Sequence, residues 1–143
     1  MTACVIDASV AIKWYVPEVH EEAAARLLGM RSQGDLTFHV PDLFFPEFGN
    51  ILWKKARTAE LEGSIAAEIL EAMLRVPKAV HGSEALLPSA VGIALDSGRT
   101  VYDSLYIALA AFLDCELVTA DHRLCNGLAN TPWARTLRWI EDV

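Results

Sequence analysis

Four acidic residues occupy positions where the surrounding sequence is mostly apolar. Asp7 follows the run ACVI, Asp121 comes just after ELVT, and Asp103 lies in VYDSLYIALAAFL as its only charged residue. Glu47 lies in the aromatic sequence LFFPEFG. Charged side chains are seldom placed in such surroundings without a partner, so these four acids are the candidates for chemistry.

Carboxylates that share an apolar rim repel one another, and this repulsion raises some of their pKa values. A divalent cation relieves the repulsion. Four hard oxygen ligands without a His or Cys partner favour Mg²⁺ or Mn²⁺ over zinc. Ions of this kind, held by carboxylates, are widely used to hydrolyse phosphodiester bonds, because they activate a water molecule and stabilise the leaving oxygen. The acids therefore indicate metal-assisted phosphodiester hydrolysis.

Each acid alone also has a simpler structural explanation. The three aspartates all lie where a helix begins, and Asp is a preferred N-cap residue. Glu47, Asn50, Lys54 and Arg57 fall within about 80° on a helical wheel, as an ordinary solvated face would. Ser, Thr and Asn cap helices as well as Asp does, yet all three positions carry Asp. Taken together, the three positions therefore favour a functional site over simple capping.

Short apolar runs alternate with segments of helical periodicity, and this pattern predicts the elements that would position the acids. Strands are predicted at 3–6, 37–40, 76–80, 116–119 and 136–140. Helices are predicted at 8–16, 18–31, 42–57, 60–75, 83–97, 101–113 and 121–129, with Pro88 as an alternative first turn for the fifth. Such alternation is typical of a parallel α/β sheet covered on both faces. The carboxyl edge of such a sheet is where ligands bind, and Asp7 and Asp121 would lie there.

Length and composition agree with a single compact domain over residues 1–143. The 53% hydrophobic content argues against disorder, and the sequence shows neither a membrane span nor a secretory signal. Three cysteines without C-x-x-C spacing are expected to be free thiols, which fits a reducing cytoplasm.

The net charge of −7 argues against a protein that simply coats nucleic acid, but it leaves room for an enzyme that meets phosphates through bound cations. Three basic residues lie near the predicted rim in sequence and are either phosphate contacts or plain surface cations: Lys13, Lys54 and Arg123.

Four short motifs occur in one order along the chain: D-x-S at Asp7, E-x-x-N at Glu47, Y-D-x-x-Y-x-A-L-A around Asp103, and L-V-T-A-D-x-R-L around Asp121. In this order and with these neighbours, the sequence resembles the PIN-domain ribonucleases, and specifically the VapC-type toxins of prokaryotic toxin–antitoxin pairs. The resemblance covers essentially the whole chain.

The resemblance implies a three-layer α/β/α fold with a central parallel sheet of four or five strands. It also implies an endoribonuclease that depends on Mg²⁺ or Mn²⁺, with one or two ions. Asp7 and Asp103 would be the principal metal ligands, and Glu47 and Asp121 would complete the catalytic quartet. Three polar residues would support them, Ser9 beside Asp7, Thr119 beside Asp121 and Asn50 beside a carboxylate or a metal-bound water. The implied partners are an RNA substrate, a small antitoxin protein and a second copy of the chain.

Two other functional interpretations of the sequence remain open. A phosphoacceptor receiver domain would need paired acids after the first strand and a lysine after the last, whereas Asp7 is followed by Ala8 and the last strand by Glu141. A non-catalytic α/β binding module would tolerate loss of the four acids. Among the aromatic residues, Tyr102 and Tyr106 either stack RNA bases or pack in the core.

Overall fold

A computed structural model describes residues 2–143. Five strands form one sheet: β1 (Thr2–Ile6), β2 (Leu36–Pro41), β3 (Ala79–His81), β4 (Glu116–Thr119) and β5 (Leu137–Trp139). The helices within those residues are α1 (Ala8–Ala11), α2 (Glu21–Ser32), α3 (Phe44–Arg57), α4 (Gly63–Arg75), α5 (Ser83–Ser97), α6 (Val101–Phe112) and α7 (His122–Leu128). Short 3₁₀ turns occur at Ile12–Trp14, Pro132–Thr136 and Ile140–Asp142.

The strand order is β3-β2-β1-β4-β5, and every neighbouring pair is parallel. The chain leaves the central strand β1 toward β2 and β3, and later returns to place β4 on the other side of β1. The neighbouring strands β1 and β4 thus have connections that diverge, which opens a crevice at their carboxyl ends. Ile6 of β1 is in register with Val118 of β4 beside this crevice.

Side chains alternate between the two faces of the sheet, and each face has its own apolar core. In β1, Cys4 and Ile6 pack with α1 to α4, whereas Val5 packs with α5, α6 and α7. A strand that is apolar on both faces needs helices on both sides to cover it. The predicted three-layer α/β/α architecture is therefore confirmed, with five parallel strands.

Several bounds differ from the sequence-based ones. The helices predicted from 42 and 60 begin at Phe44 and Gly63, the helix predicted over 8–16 is α-helical only over Ala8–Ala11, and the strand predicted at 76–80 lies at Ala79–His81.

The helix predicted to begin at 18 begins at Glu21, because His20 has a φ of 70° and interrupts the helical backbone just before it. The alternative start of α5 at Pro88 is wrong. The helix begins at Ser83, whose backbone N–H and hydroxyl both donate to the Asp42 carboxylate. Pro88 is accommodated inside the helix.

All three cysteines are free thiols, as predicted. Within residues 2–143, no helix combines the length and apolar character needed to cross a bilayer.

Candidate active site

Asp7 and Asp121 lie at the carboxyl ends of the neighbouring strands β1 and β4. Each is the N-cap of the helix that follows. The Asp7 carboxylate accepts from the backbone N–H of Val10 at 3.2 Å, and that of Asp121 accepts from the N–H of Arg123 at 2.9 Å. A carboxylate offers about four lone-pair sites, so each aspartate can cap its helix and still offer oxygens to a ligand at the carboxyl edge of the sheet.

Thr119 couples these two aspartates. Its buried hydroxyl donates to Asp7 Oδ2 at 2.6 Å and accepts from the backbone N–H of Asp121 at 3.1 Å. Ser9 donates to the other oxygen, Asp7 Oδ1, at 2.5 Å. Burial raises the pKa of Asp7, and the nearby Asp121 charge adds to the rise, while the hydroxyl donors act in the opposite direction. The Asp7 carboxylate is thus held in a fixed orientation in a place where its charge is costly.

Asp103 reaches the same rim from the other layer of helices. The explanation of Asp103 as an N-cap residue is wrong. Thr100 is the N-cap of α6, and its side chain accepts from the Asp103 backbone N–H at 3.1 Å. Asp103 instead lies in the first turn, where the helix dipole favours a negative charge. Its Oδ2 accepts from Arg99 Nη2 at 3.2 Å.

Glu47 extends from α3 on the opposite side of the crevice. Tyr106 of α6 donates its hydroxyl to Glu47 Oε1 at 2.5 Å. Burial raises the pKa of Glu47, and the charges of Asp7 and Asp103 add to this, whereas the Tyr106 donor lowers it. Burial and the adjacent Glu47 also raise the pKa of Tyr106, which therefore stays protonated as a donor.

All four acids line one pocket of about 220 Å³. Ser9, Asn50 and Tyr106 line it as well, and the apolar side chains of Ile51, Leu117 and Leu124 form the rest of its wall. The pocket is formed at the carboxyl ends of β1 and β4. Helices α1 and α3 contribute from one face of the sheet, and α6 and α7 contribute from the other. The pocket therefore concentrates negative charge in a partly dry environment, which is what a cationic ligand would stabilise.

The donor chemistry of the pocket fits Mg²⁺ or Mn²⁺, since it offers carboxylate oxygens and no thiolate or imidazole. As they stand, however, no three His, Cys, Asp or Glu side chains among residues 2–143 are grouped so as to hold a metal ion. The contacts explain this: Asp7 is engaged by two hydroxyls, and Asp103 is turned toward Arg99. A metal would be held by Asp7 and Asp103, with Glu47 and Asp121 beside them, and Asp103 would then exchange its contact with Arg99.

Residues 4–127 match the sequence profile of the PIN domain. The chain belongs to the PIN-domain family. The resemblance of the sequence to the PIN domain is thereby confirmed.

Two similar proteins come from Pyrobaculum aerophilum. This PIN domain is 38% identical to Ribonuclease VapC3 of that organism over 124 residues, which is 85% of this chain and 92% of that protein. The crystal structure of PAE2754 superposes with a TM-score of 0.72 at 24% identity, covering 98% of this chain and 85% of that one. At that identity, the second likeness concerns the fold alone.

The three basic residues predicted as phosphate contacts lie in different places in this PIN domain. Lys54 lines a groove of about 430 Å³ beside the acidic pocket. Lys13 lines the same groove, but its ammonium group is paired with Glu18 at 3.0 Å. Arg123 is exposed in the first turn of α7 and, in the part of the chain that the structure describes, lines neither the groove nor the pocket. Lys54 is therefore the best placed of the three.

Two residues of the site were not assigned to it from the sequence. Tyr106 was considered only for base stacking or core packing, although its position three residues after Asp103 puts both on one helix face. Arg99 lies one turn before Asp103 and packs against Gly127, where a Cβ atom would lie 3.1 Å from Arg99 Nη1. Arg99 lies outside α6, before its N-cap Thr100, so no helical spacing in the sequence signalled its contact with Asp103.

Proposed function

We propose that the chain is a single-domain endoribonuclease that hydrolyses RNA phosphodiester bonds with the help of Mg²⁺ or Mn²⁺. The observation that carries this proposal is the convergence of four carboxylates on one pocket, with the pKa values of Asp7 and Glu47 raised by burial and by neighbouring acids. Similarity to Ribonuclease VapC3 supports the substrate class. The proposed catalytic and metal-holding residues are Asp7, Glu47, Asp103 and Asp121.

The metal, when bound, would act as a Lewis acid and lower the pKa of a coordinated water. The chain's own residues would prepare the place for it. Ser9 and Thr119 hold the Asp7 carboxylate from two sides, and Tyr106 holds Glu47. Such outer contacts fix the direction of ligand oxygens and keep the carboxylates from turning into solvent. Asn50 lines the pocket one helical turn from Glu47, within reach of a water or a phosphate oxygen.

RNA carries a dense negative charge, whereas this chain has a net charge of −7. Attraction to the substrate must therefore be local. The bound metal would supply positive charge at the pocket, and Lys54 would contact a phosphate in the adjacent groove. Lys13 and Arg123 would make weaker, peripheral contacts.

The biological role proposed for this enzyme is that of the toxin in a toxin–antitoxin pair, acting in the cytoplasm. The name of the relative VapC3 and the family resemblance support this role. The partners would be an antitoxin protein that blocks the pocket and a second copy of the chain. Growth arrest on induction, relieved by co-expression of the cognate antitoxin, is the expected phenotype. Light scattering after gel filtration should give twice the 15.7 kDa chain mass.

The decisive experiment is cleavage of a fluorophore-quenched RNA mixture by the purified protein. Four conditions are compared: wild type with Mn²⁺, wild type with EDTA, Asp7→Asn with Mn²⁺, and Asp96→Asn with Mn²⁺. Asp96 is an exposed acid on α5 and serves as the matched control. Cleavage is expected in the first and last conditions only. Equal cleavage in EDTA would contradict the metal requirement, and equal cleavage by Asp7→Asn would contradict the site. Cleavage in none would favour a non-catalytic or receiver-like module.

A further inference from the structure

A second concave surface adjoins the acidic pocket. It is the groove of about 430 Å³ that runs between α3 and the segment after α1. Ser9 and Ile51 line both the groove and the pocket, so the two spaces are adjacent. A chain that enters the pocket from this side must therefore pass along the groove and along α3.

The cations of the groove are of two kinds. Glu18 accepts from Lys13 at 3.0 Å and from Lys55 at 2.8 Å. Lys55 also pairs with Glu60 at 3.3 Å, so two carboxylates neutralise these two ammonium groups. Lys54 and Arg57 also line the groove, but neither has a carboxylate within 4.0 Å among residues 2–143. The positive charge that remains available in the groove therefore lies on the α3 side.

Trp53 lies beside these two cations on α3. Its side chain is 56% exposed, whereas Trp14, Trp133 and Trp139 are at least partly buried. The guanidinium of Arg57 lies over the Trp53 ring, with Cζ 4.8 Å from the ring centroid. An exposed indole next to two unpaired cations combines a flat apolar face with positive charge. This is the pair of features by which proteins bind single-stranded nucleic acid.

We propose that Trp53, Arg57 and Lys54 form a binding subsite for an unpaired RNA nucleotide at the edge of the groove. The base stacks on Trp53, and the flanking phosphates contact Lys54 and Arg57. This inference rests on the proposed ribonuclease function and assigns to substrate binding three residues of α3 that lie outside the acidic pocket. Bases in a duplex are already stacked, and so they cannot offer a free face to Trp53.

The position of the subsite follows from the geometry of α3. Trp53 lies about 9 Å along the helix axis from Glu47 and about 120° around it, so it lines neither the pocket nor the groove. Arg57, which lines the groove and lies over the Trp53 ring, connects the two, and the stacked nucleotide therefore lies outside the pocket at the edge of the groove. An apolar protein partner fits this surface less well, because it would bury two cations without a counter-charge.

The test is the affinity of the full-length protein for a fluorescein-labelled single-stranded RNA, measured by fluorescence anisotropy in EDTA so that cleavage does not interfere. Wild type is compared with Trp53→Ala, Trp53→Phe and the control Phe112→Ala. Phe112 is an aromatic residue that is 76% exposed on α6, away from the groove. Circular dichroism and thermal unfolding verify that each variant is folded.

Trp53→Ala is expected to weaken binding about tenfold, the size of a lost base–aromatic stack. Trp53→Phe should stay within about threefold of wild type because it keeps a stacking face. Phe112→Ala should bind as wild type, and a duplex of the same sequence should not respond to either change at Trp53. Wild-type affinity in Trp53→Ala would overturn the subsite, as would equal losses in the Ala and Phe variants at Trp53, or no binding of RNA by wild type in either EDTA or Mn²⁺.

Cleavage assays on the same variants separate this inference from the ribonuclease proposal. If wild type cleaves with Mn²⁺ and Trp53→Ala cleaves and binds equally well, only the subsite fails. If wild type binds single-stranded RNA through Trp53 but never cleaves it, the subsite stands and the ribonuclease proposal fails.

Discussion

The Tyr106 hydroxyl donates a hydrogen bond of 2.5 Å to Glu47 Oε1 and so joins two helices from opposite faces of the sheet. Tyr106 lies on α6 and is 4% exposed, and Glu47 lies on α3. The contact gives the buried Tyr106 hydroxyl a hydrogen-bond partner and at the same time orients the half-buried Glu47 carboxylate toward the pocket. Packing and site geometry therefore depend on one hydrogen bond.

Tyr106→Phe should lower cleavage about tenfold or more, because an outer contact that orients a ligand residue is removed. The folded state should lose about 1–3 kcal/mol, since the Glu47 carboxylate loses a donor. Turnover with Mn²⁺ and urea unfolding measure the two effects. Tyr102→Phe is the control, because Tyr102 lies on the same helix with its side chain 63% exposed. Full activity in Tyr106→Phe would show that Glu47 needs no orientation by Tyr106.

Thr119→Val should reduce cleavage roughly 10–100-fold, because the hydroxyl that links Asp7 to the Asp121 loop is lost while the shape is kept. The free energy of unfolding should fall by about 1–3 kcal/mol, because the Asp7 carboxylate and the Asp121 backbone N–H both lose their partner. Thr119→Ser restores the hydroxyl and should recover most of the activity. If Val and Ser behave alike, the hydrogen bonds at Thr119 do not matter to the site.

Glu47→Gln should stabilise the metal-free protein at neutral pH while abolishing cleavage. Because its folded pKa is raised, Glu47 favours folding only in its neutral form, below the ordinary value of about 4.3. That contribution is lost as pH rises through the elevated folded pKa. Gln keeps the neutral form at every pH. The difference in unfolding free energy, measured by urea titration in EDTA, should therefore grow as pH rises above about 4.3.

The control for this experiment is Glu84→Gln, an exposed acid in the first turn of α5. It measures the effect of removing one carboxylate that lies outside the acidic pocket. A constant difference between wild type and Glu47→Gln from acid to neutral pH would contradict the raised pKa of Glu47.

Arg99→Gln should increase the affinity for Mn²⁺ about two- to fivefold, the range expected for a partly exposed ion pair. In wild type the guanidinium occupies Asp103 Oδ2 at 3.2 Å and repels a second cation. Titration followed by thermal shift gives the affinity, because Mn²⁺ stabilises the folded state by about 2.7 kcal/mol at 100 times its dissociation constant. Arg99→Lys keeps the charge and should change little. Weaker Mn²⁺ binding in Arg99→Gln would mean that Arg99 orients Asp103 for the metal.

Local periodicity was enough to predict most of the architecture. The strand at 116–119 and the helix at 83–97 have the predicted bounds, because an apolar β-rich run and a long apolar helix end at clear breakers. The start of α2 could not be predicted, since it depends on the left-handed backbone at His20. The contact of Ser83 with Asp42 at the start of α5 could not be predicted either, because Asp42 is 41 residues away in the chain.

The sequence by itself determined the residue types of the site and the elements that carry them. Four acids in apolar surroundings, two of them after strands, were enough to predict a shared rim, because parallel strands end at one edge of a sheet. Only the tertiary structure decided the directions of these side chains. The bond from Tyr106 to Glu47, the Thr119 hydroxyl between Asp7 and Asp121, and the paired state of Lys13 join residues from separate elements. Such contacts depend on how layers pack and on which polar groups must be satisfied there, and no local pattern encodes either.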